Sequence, residues 1–422
     1  MNTSSILSLA FRSLLARRFT ALLAIISIAT AVLLFVAVEN IRQGARTSFE
    51  RTITETDLIV GARSSSVNLV LYSVFQIGDP TNNITWDTYE DIKNRPDVAW
   101  TVPISLGDSH RGYRVVGTTP DYFKYYKYAN SQSLSFAQGE IFTDLFDIVL
   151  GAQVARELGY QLNTEITLSH GMGAASFTEH KTPFRVSGIL KTTGTPIDRS
   201  VIVSLPAIEA IHVGWKDGAP TALSRLAKPD QLRKLNLAPK EITATFLGAK
   251  SRARTLRIQR DLNSYTEESL QAVIPGVALS QLWGMLSVVE RALAIITAFV
   301  IAVGLIGILT SILTSLNERR REMAILRSIG ARPSHIVGLL VSEAALLAFI
   351  GALIGVGLVY GSSWALQGML ESRFNISTLN LVPSLFDVKV IVGITLISAL
   401  LGLIPALVSL KRSLADGLSI RF

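Results

Sequence analysis

The sequence predicts an α-helical membrane protein with four transmembrane helices and a large extracytoplasmic α+β domain inserted between helices 1 and 2. Three observations predict it. The composition is 49% hydrophobic and only 17% charged, which suits a membrane protein better than a soluble globule of several domains. The apolar residues are concentrated in four stretches, each supplying the roughly 20 residues that a helix rising about 1.5 Å per residue needs to cross a hydrocarbon core of about 30 Å. The positive charge sits in three short segments beside those stretches, and the rest of the chain is close to neutral.

In residues 1–18, Ile6, Leu7, Leu9, Ala10, Phe11, Leu14 and Leu15 alternate with Ser and Arg at helical spacing, as in an amphipathic helix lying along the inner membrane surface. The first span is 19–38. Its apolar run is too long for a secretory signal, and Val36-Ala37-Val38 is a poor cleavage site, so an uncleaved helix is expected. Beyond it Ile41, Ala45, Phe49 and Ile53 recur every four residues. Ahead of the second span Leu279, Leu282, Trp283, Leu286 and Val289 recur at three and four. The inserted domain, 39–291, therefore begins and ends in helical stalks, which as a rigid pair would carry movement outward. The second span is 292–316, a short helix and turn occupy 317–335, and the third span with its lead-in is 336–370. A short loop, 371–389, precedes the fourth span, 390–410, and the tail is 411–422.

Residues 1–18 and 318–335 each carry +3 and the tail +2, which together account for the whole formal charge of +8. Arginine and lysine beside a span mark its cytoplasmic end. Both termini and 318–335 are thus placed inside, and 39–291 with 371–389 outside. The basic balance follows from this topology. No basic stripe with interleaved aromatics occurs, so no nucleic-acid binding is expected. The chain has no cysteine, so the outer domain is held by its own core without disulfides.

In the outer domain, Asp57 to Val60, Arg114 to Gly117, Ile166 to Leu168, Phe184 to Ile189 and Val201 to Leu205 read as strands. Trp86 to Asn94, Gln153 to Leu158, Pro206 to Ile211 and Lys250 to Asn263 read as helices. Gly188 to Thr195, GILKTTGT, superficially resembles a phosphate loop but lacks the Gly-Lys-Ser/Thr ending and the glycine spacing, so a strand and turn is expected. His170, Glu179 and His180 would converge on a metal only if the intervening GMGAASFT folded back as a hairpin, since imidazole and carboxylate suit zinc. Ligand spacing of this kind is nonspecific, and ordinary surface polar residues with no metal site are expected. There is no HExxH, no nucleophile elbow and no thiol. No catalytic constellation is found, and the chain reads as no enzyme.

Between the second and third spans, Glu318, Arg319, Arg320, Arg321 and Glu322 form a polar face while Met323, Ile325, Leu326 and Ile329 supply apolar contacts at helical spacing. Gly330 ends that helix and Pro333 prevents its continuation. A positive-inside anchor needs only two or three arginines, so the additional amphipathic turn points to a cytoplasmic partner. Within the spans Glu343 is the one charged residue. Such residues are functional by default and usually paired, here with Arg12 or Arg327 as candidates, or else they snorkel to the interface. Ala344, Ala348, Gly351 and Gly355 fall every three or four positions and permit close helix packing, within one subunit or between two.

The segment ERRREMAILRSIGARPSHIVGLLVSE resembles the signature of MacB, LolC/LolE and FtsX-type permeases of the ATP-binding cassette superfamily. The layout of one span, a large outer domain and three spans is similar to theirs, as are LAFRSLLARRFTALLAIISIA before the first span and ALVSLKRSLA after the last. GYRVVGTTPDYF, IVLGAQVARELGYQLNTEITL and FRVSGILKTTGTPIDRSVIVSL are looser likenesses in the outer domain. The resemblance implies a MacB-like permease subunit in a bacterial inner membrane that dimerises with itself or a related permease. It also implies a separate cytoplasmic ABC ATPase, which holds ATP and Mg and docks through Glu318, Arg319, Arg320, Arg321, Glu322, Met323, Leu326, Arg327 and Gly330. A periplasmic adaptor or lipoprotein is a further candidate partner, and membrane lipid surrounds the spans. No cofactor is expected on this chain, and it carries no P-loop of its own. The implied function is mechanically coupled export or extraction of a lipoprotein, peptide or small molecule. The alternative is an FtsX-like signalling permease that activates a periplasmic hydrolase or sensor, and a metal-linked role through His170 and His180 is a third.

Overall fold

The computed structural model describes residues 3–171, 179–216, 219–221, 229–318, 325, 328, 330–374 and 383–415. The chain forms two compact units. One comprises Met1–Gly44, Ser287–Leu370 and Thr378–Phe422, and the other Ala45–Leu286 with Glu371–Ser377.

Among the described residues four helices are long and apolar enough to cross a membrane, Arg18–Thr52, Pro275–Thr314, Pro333–Leu366 and Leu385–Ser409, and the first unit holds most of their length. The helix Arg18–Thr52 passes residue 38 without a break, and the helix Pro275–Glu318 likewise passes residue 291. The last span is not one straight rod. It divides into Leu385–Leu401 and Leu403–Ala415 at Gly402, because Pro405 has no N–H to give to the preceding turn. Its start is fixed by a capping box, in which Ser384 Oγ accepts from the Asp387 amide and the Asp387 carboxylate accepts from the Ser384 amide. Ile28, Val32, Ile308, Leu340, Leu347 and Ala352 are buried together at the centre of this unit.

The second unit is built on an eleven-stranded mixed sheet. From one edge the order is Leu270–Val273, Leu58–Ala62, Ala244–Ala249, Val98–His110, Tyr113–Thr118, Ser200–Ser204, Asp147–Leu150, Phe184–Leu190 and Phe136–Gly139. Two short strands leave this path. Ser169–His170 pairs with Val98–His110, and Glu165–Ile166 pairs with Phe184–Leu190. Two of the neighbouring pairs are parallel, Tyr113–Thr118 with Ser200–Ser204 and Asp147–Leu150 with Phe184–Leu190. The central strands are buried on both faces, as the period of two then requires of both residue sets. Ile202 and Val149 meet Tyr122, Tyr126 and Phe246 on one face. Val201, Val203, Ile148 and Leu150 join Val154, Ala207 and Ile211, from the helices Ala152–Leu158 and Leu205–His212, on the other.

The inserted domain differs from the sequence reading at several strands, since Phe136–Gly139, Asp147–Leu150, Ala244–Ala249 and Leu270–Val273 were also not read as strands. The longest strand, Val98–His110, was not expected, because Pro103 and Gly107 interrupt its alternation. The expected strand Ile166 to Leu168 is instead two short pieces, since the chain leaves one partner strand at Ile166 and joins another at Ser169. That switch brings His170 opposite Asp108.

Candidate functional site

Of the residues assigned to ATPase coupling, Arg319, Arg320, Arg321, Glu322, Met323, Leu326 and Arg327 lie outside the described residues. Glu318 is the last residue of the helix Pro275–Glu318. Ile325 is helical and exposed, and Ser328 Oγ donates to its carbonyl at 2.8 Å. Gly330 has a φ of +96°, the left-handed backbone that terminates helices and that glycine adopts freely. The helix Pro333–Phe374 then begins with proline in its first position, where the missing N–H costs nothing.

Glu343 is buried in the membrane unit, and Ser13 Oγ donates to its Oε1 at 3.4 Å. Arg12, one suggested partner, is exposed, and Arg327, the other, lies outside the described residues. The small residues of the same helix pack against the first span of the same chain. A Cβ at Gly351 would lie 2.9 Å from Ile28 Cβ, and one at Gly355 would lie 2.6 Å from the Ala29 carbonyl oxygen. Ala344 and Ala348 are fully buried, and a Cβ at Gly402 would lie 2.9 Å from Ala344 Cβ. These contacts lie within one chain. Asp387, which the sequence reading passed over, is also buried here and accepts from Tyr360 Oη.

In the inserted domain the phosphate-loop lookalike is strand Phe184–Leu190 followed by a turn. The Thr193 and Gly194 amides, which would face a phosphate, both donate to Asp198 at 2.8 Å, and Thr193 Oγ1 donates to it at 2.9 Å. A carboxylate of the chain itself fills that nest, so it offers no nucleotide site.

Among the described residues, one group of histidine and carboxylate side chains close enough to share an ion forms where the strand pairing switches. Asp108 stands on Val98–His110 directly across from His170. The chain reverses after His170. Ser169 forms an antiparallel bridge with Glu179, and the His180 amide donates to the Leu168 carbonyl at 2.8 Å. His212 ends the helix Leu205–His212. Asp108 Oδ1 lies 3.2 Å from His170 Nδ1, 3.4 Å from His180 Nε2 and 3.5 Å from His212 Nε2. His170 Nδ1 is 3.1 Å from His212 Nε2. All four atoms fall within 4.8 Å of one another.

His212 Nδ1 is 2.8 Å from the Ile208 carbonyl, which can only accept, so Nδ1 carries a proton and Nε2 is the atom turned toward the group. Asp108 and His180 are buried, and the Trp215 ring covers His180 with centroids 4.4 Å apart. Burial alone would raise the Asp108 carboxyl, but hydrogen bonds from the three imidazoles overcome it and hold the carboxyl well below the usual range. Burial would lower His212, and Asp108 reverses that and raises it.

Structure and sequence reading part company over these histidines. His180 is buried and not a surface residue. Glu179, grouped with it in the sequence, instead lines a polar pocket of about 290 Å³ with His110, Arg111, Tyr160 and Glu165. Asp108 and His212 were not singled out, since they are brought in by strand register and by a helix end, which no local motif announces.

Residues 19–244 match the family profile described as MacB-like periplasmic core domain, and residues 294–415 match that described as FtsX-like permease C-terminal. Over 134 residues the chain is 32% identical to the macrolide export ATP-binding/permease protein MacB of Chromobacterium violaceum, covering 31% of this chain and 20% of that protein. Over 142 residues it is 30% identical to the uncharacterized ABC transporter permease YknZ of Bacillus subtilis, covering 34% and 33%. Over 214 residues it is 25% identical to the lipoprotein-releasing system transmembrane protein LolC of Neisseria meningitidis, covering 50% and 46%. The chain thus spans less than half the length of each of these relatives.

The packing of the spans can be checked directly because the chain has no cysteine. A Cβ at Gly304 would lie 3.7 Å from Ala31 Cβ, within the roughly 3.5–4.5 Å that a disulfide bridges. Mild oxidation of the double variant Ala31→Cys, Gly304→Cys in membranes is expected to produce a cross-link at monomer size. A cross-link only at dimer size would move the contact to between chains.

Proposed function

The chain belongs to the family of FtsX-like permeases with a MacB-like periplasmic core domain, and from that membership we propose that it is the membrane subunit of an ABC system in a bacterial inner membrane. Both termini face the cytoplasm and the inserted domain faces the periplasm. A separate ATPase docks on the segment from Glu318 to Gly330, and its ATP-driven movement reaches the inserted domain. That domain exports or extracts a lipoprotein, peptide or small molecule, and the permease works as a dimer with itself or a close relative.

The observation that carries this reading is the pair of helices Arg18–Thr52 and Pro275–Glu318. Each runs without a break from an apolar span to the residues that open or close the inserted domain. A continuous helix transmits displacement along its axis because its backbone bonds are all made internally. The names of the MacB relatives pair ATP binding with a permease, which supports ATP as the fuel and an ATPase chain as its handler. The exposed Ile325 beside the arginines gives that chain an apolar contact. The names of MacB and LolC, one an export protein and one part of a lipoprotein-releasing system, support export or extraction as the class of work. The inserted domain is larger than a signalling permease of the FtsX type requires, which favours transport over activation of a hydrolase.

Two substitutions test the two ends of this arrangement in vesicles reconstituted with the partner ATPase. Leu326→Asp would place an unpaired charge in the docking contact at a cost of about 3–5 kcal/mol, weakening association by roughly a hundredfold or more. Permease-stimulated ATP hydrolysis is expected to disappear while membrane insertion persists, and unchanged hydrolysis would remove the docking role. Ala45→Pro interrupts the first helix beyond its span, costing about 3 kcal/mol in that helix. It is expected to leave ATP hydrolysis in place and to abolish release of cargo, whereas full release would remove the transmitting role of that helix.

A further inference from the structure

We infer that the inserted domain binds a single zinc-class divalent cation between Asp108, His170, His180 and His212. This goes beyond the permease reading, which requires no metal.

The donor set is the first argument. Three imidazole nitrogens and one carboxylate oxygen are the ligands that zinc takes, and four protein donors fill a tetrahedral shell, as in structural sites and unlike catalytic ones that keep a position open. Geometry is the second. A tetrahedron with metal–ligand bonds of about 2.0–2.1 Å has edges of about 3.3–3.4 Å. The separations from Asp108 Oδ1 to the three nitrogens are 3.2, 3.4 and 3.5 Å, and that between His170 and His212 is 3.1 Å.

Ring orientation is the third. The His212 Nδ1–H donates to the Ile208 carbonyl at 2.8 Å, which turns Nε2 toward the Asp108 carboxylate and His170 Nδ1. A cation satisfies all four donors at once. The Ile208 carbonyl then serves as the outer partner that fixes ring orientation and tautomer in metal-ligating histidines.

The surroundings agree. Asp108 and His180 are buried, and Trp215 lies against all three rings, with centroids 4.4 Å from His180, 5.4 Å from His170 and 5.7 Å from His212. Three of the chain's five histidines meet here from a short strand, the segment that returns from it and a helix end. A bound ion ties these pieces to the strand Val98–His110, so occupancy sets the local order of this part of the domain.

The test uses the full-length protein in detergent micelles, stripped with chelator at pH 7. Titration with zinc by calorimetry is expected to show one site per chain, with a rise in melting temperature that EDTA reverses. Cobalt in place of zinc is expected to give the intense visible bands of a tetrahedral ion and to quench Trp215. His170→Ala and Asp108→Asn each lower zinc affinity by at least about tenfold, while Glu179→Gln and His335→Gln leave it unchanged. If the ligand variants fail to fold, the wild-type titration decides alone. Absence of stoichiometric uptake, an octahedral cobalt spectrum, or binding indifferent to Asp108→Asn would overturn the site and leave a histidine–aspartate network held together by a proton only.

Discussion

Hydrocarbon gives no partner to a bare backbone amide or an isolated charge, and the organisation of this chain follows from that constraint. The apolar stretches must close their own hydrogen bonds, so they are helices. Charges are excluded to the ends, and the two acidic side chains buried in the membrane unit among the described residues are both engaged. Glu343 accepts from Ser13, and Asp387 accepts from its own helix cap and from Tyr360. With one apolar face of each helix already committed to its neighbours, small residues do the positioning. Gly351 and Gly355 let the third span approach Ile28 and Ala29 so closely that a methyl group would collide. Work done on one side of such a barrier reaches the other only through the covalent structure that crosses it.

What the sequence revealed and what it hid divide along the same line. The spans were legible because membrane burial imposes a long uninterrupted apolar run, a signal that tertiary context does not dilute. Gly330 and Pro333 were legible as a helix end because their backbone demands are local. The kink at Gly402 was not read, although Pro405 is its cause, since hydropathy is blind to a missing amide. In the inserted domain the short strands at Tyr113–Thr118, Phe184–Leu190 and Ser200–Ser204 were found from their β-branched runs. Val98–His110 was missed because Pro103 and Gly107 break its pattern, and it proved to be central and long.

That missed strand explains why the histidine group could not be assembled from sequence. His170 and His180 were visible as a pair around a reversal, yet their partners come from distant positions that share no motif with them. Asp108 is supplied by strand register and His212 by the last turn of a helix packed on the sheet. Glu179, the nearest acidic residue in sequence, turns to a different pocket. Three-dimensional convergence replaced the expected neighbour with a buried one, and burial makes the carboxylate strongly dependent on its imidazole partners.

The account stands on the arginine segment and the inserted domain lying on opposite sides of the membrane. In this cysteine-free chain, single cysteines at the exposed positions Lys234 and Ser328 can be reacted in spheroplasts with a membrane-impermeant maleimide. Lys234→Cys is expected to label in intact spheroplasts and Ser328→Cys only after permeabilisation. Labelling of both from the same side would contradict the topology and the coupling built on it.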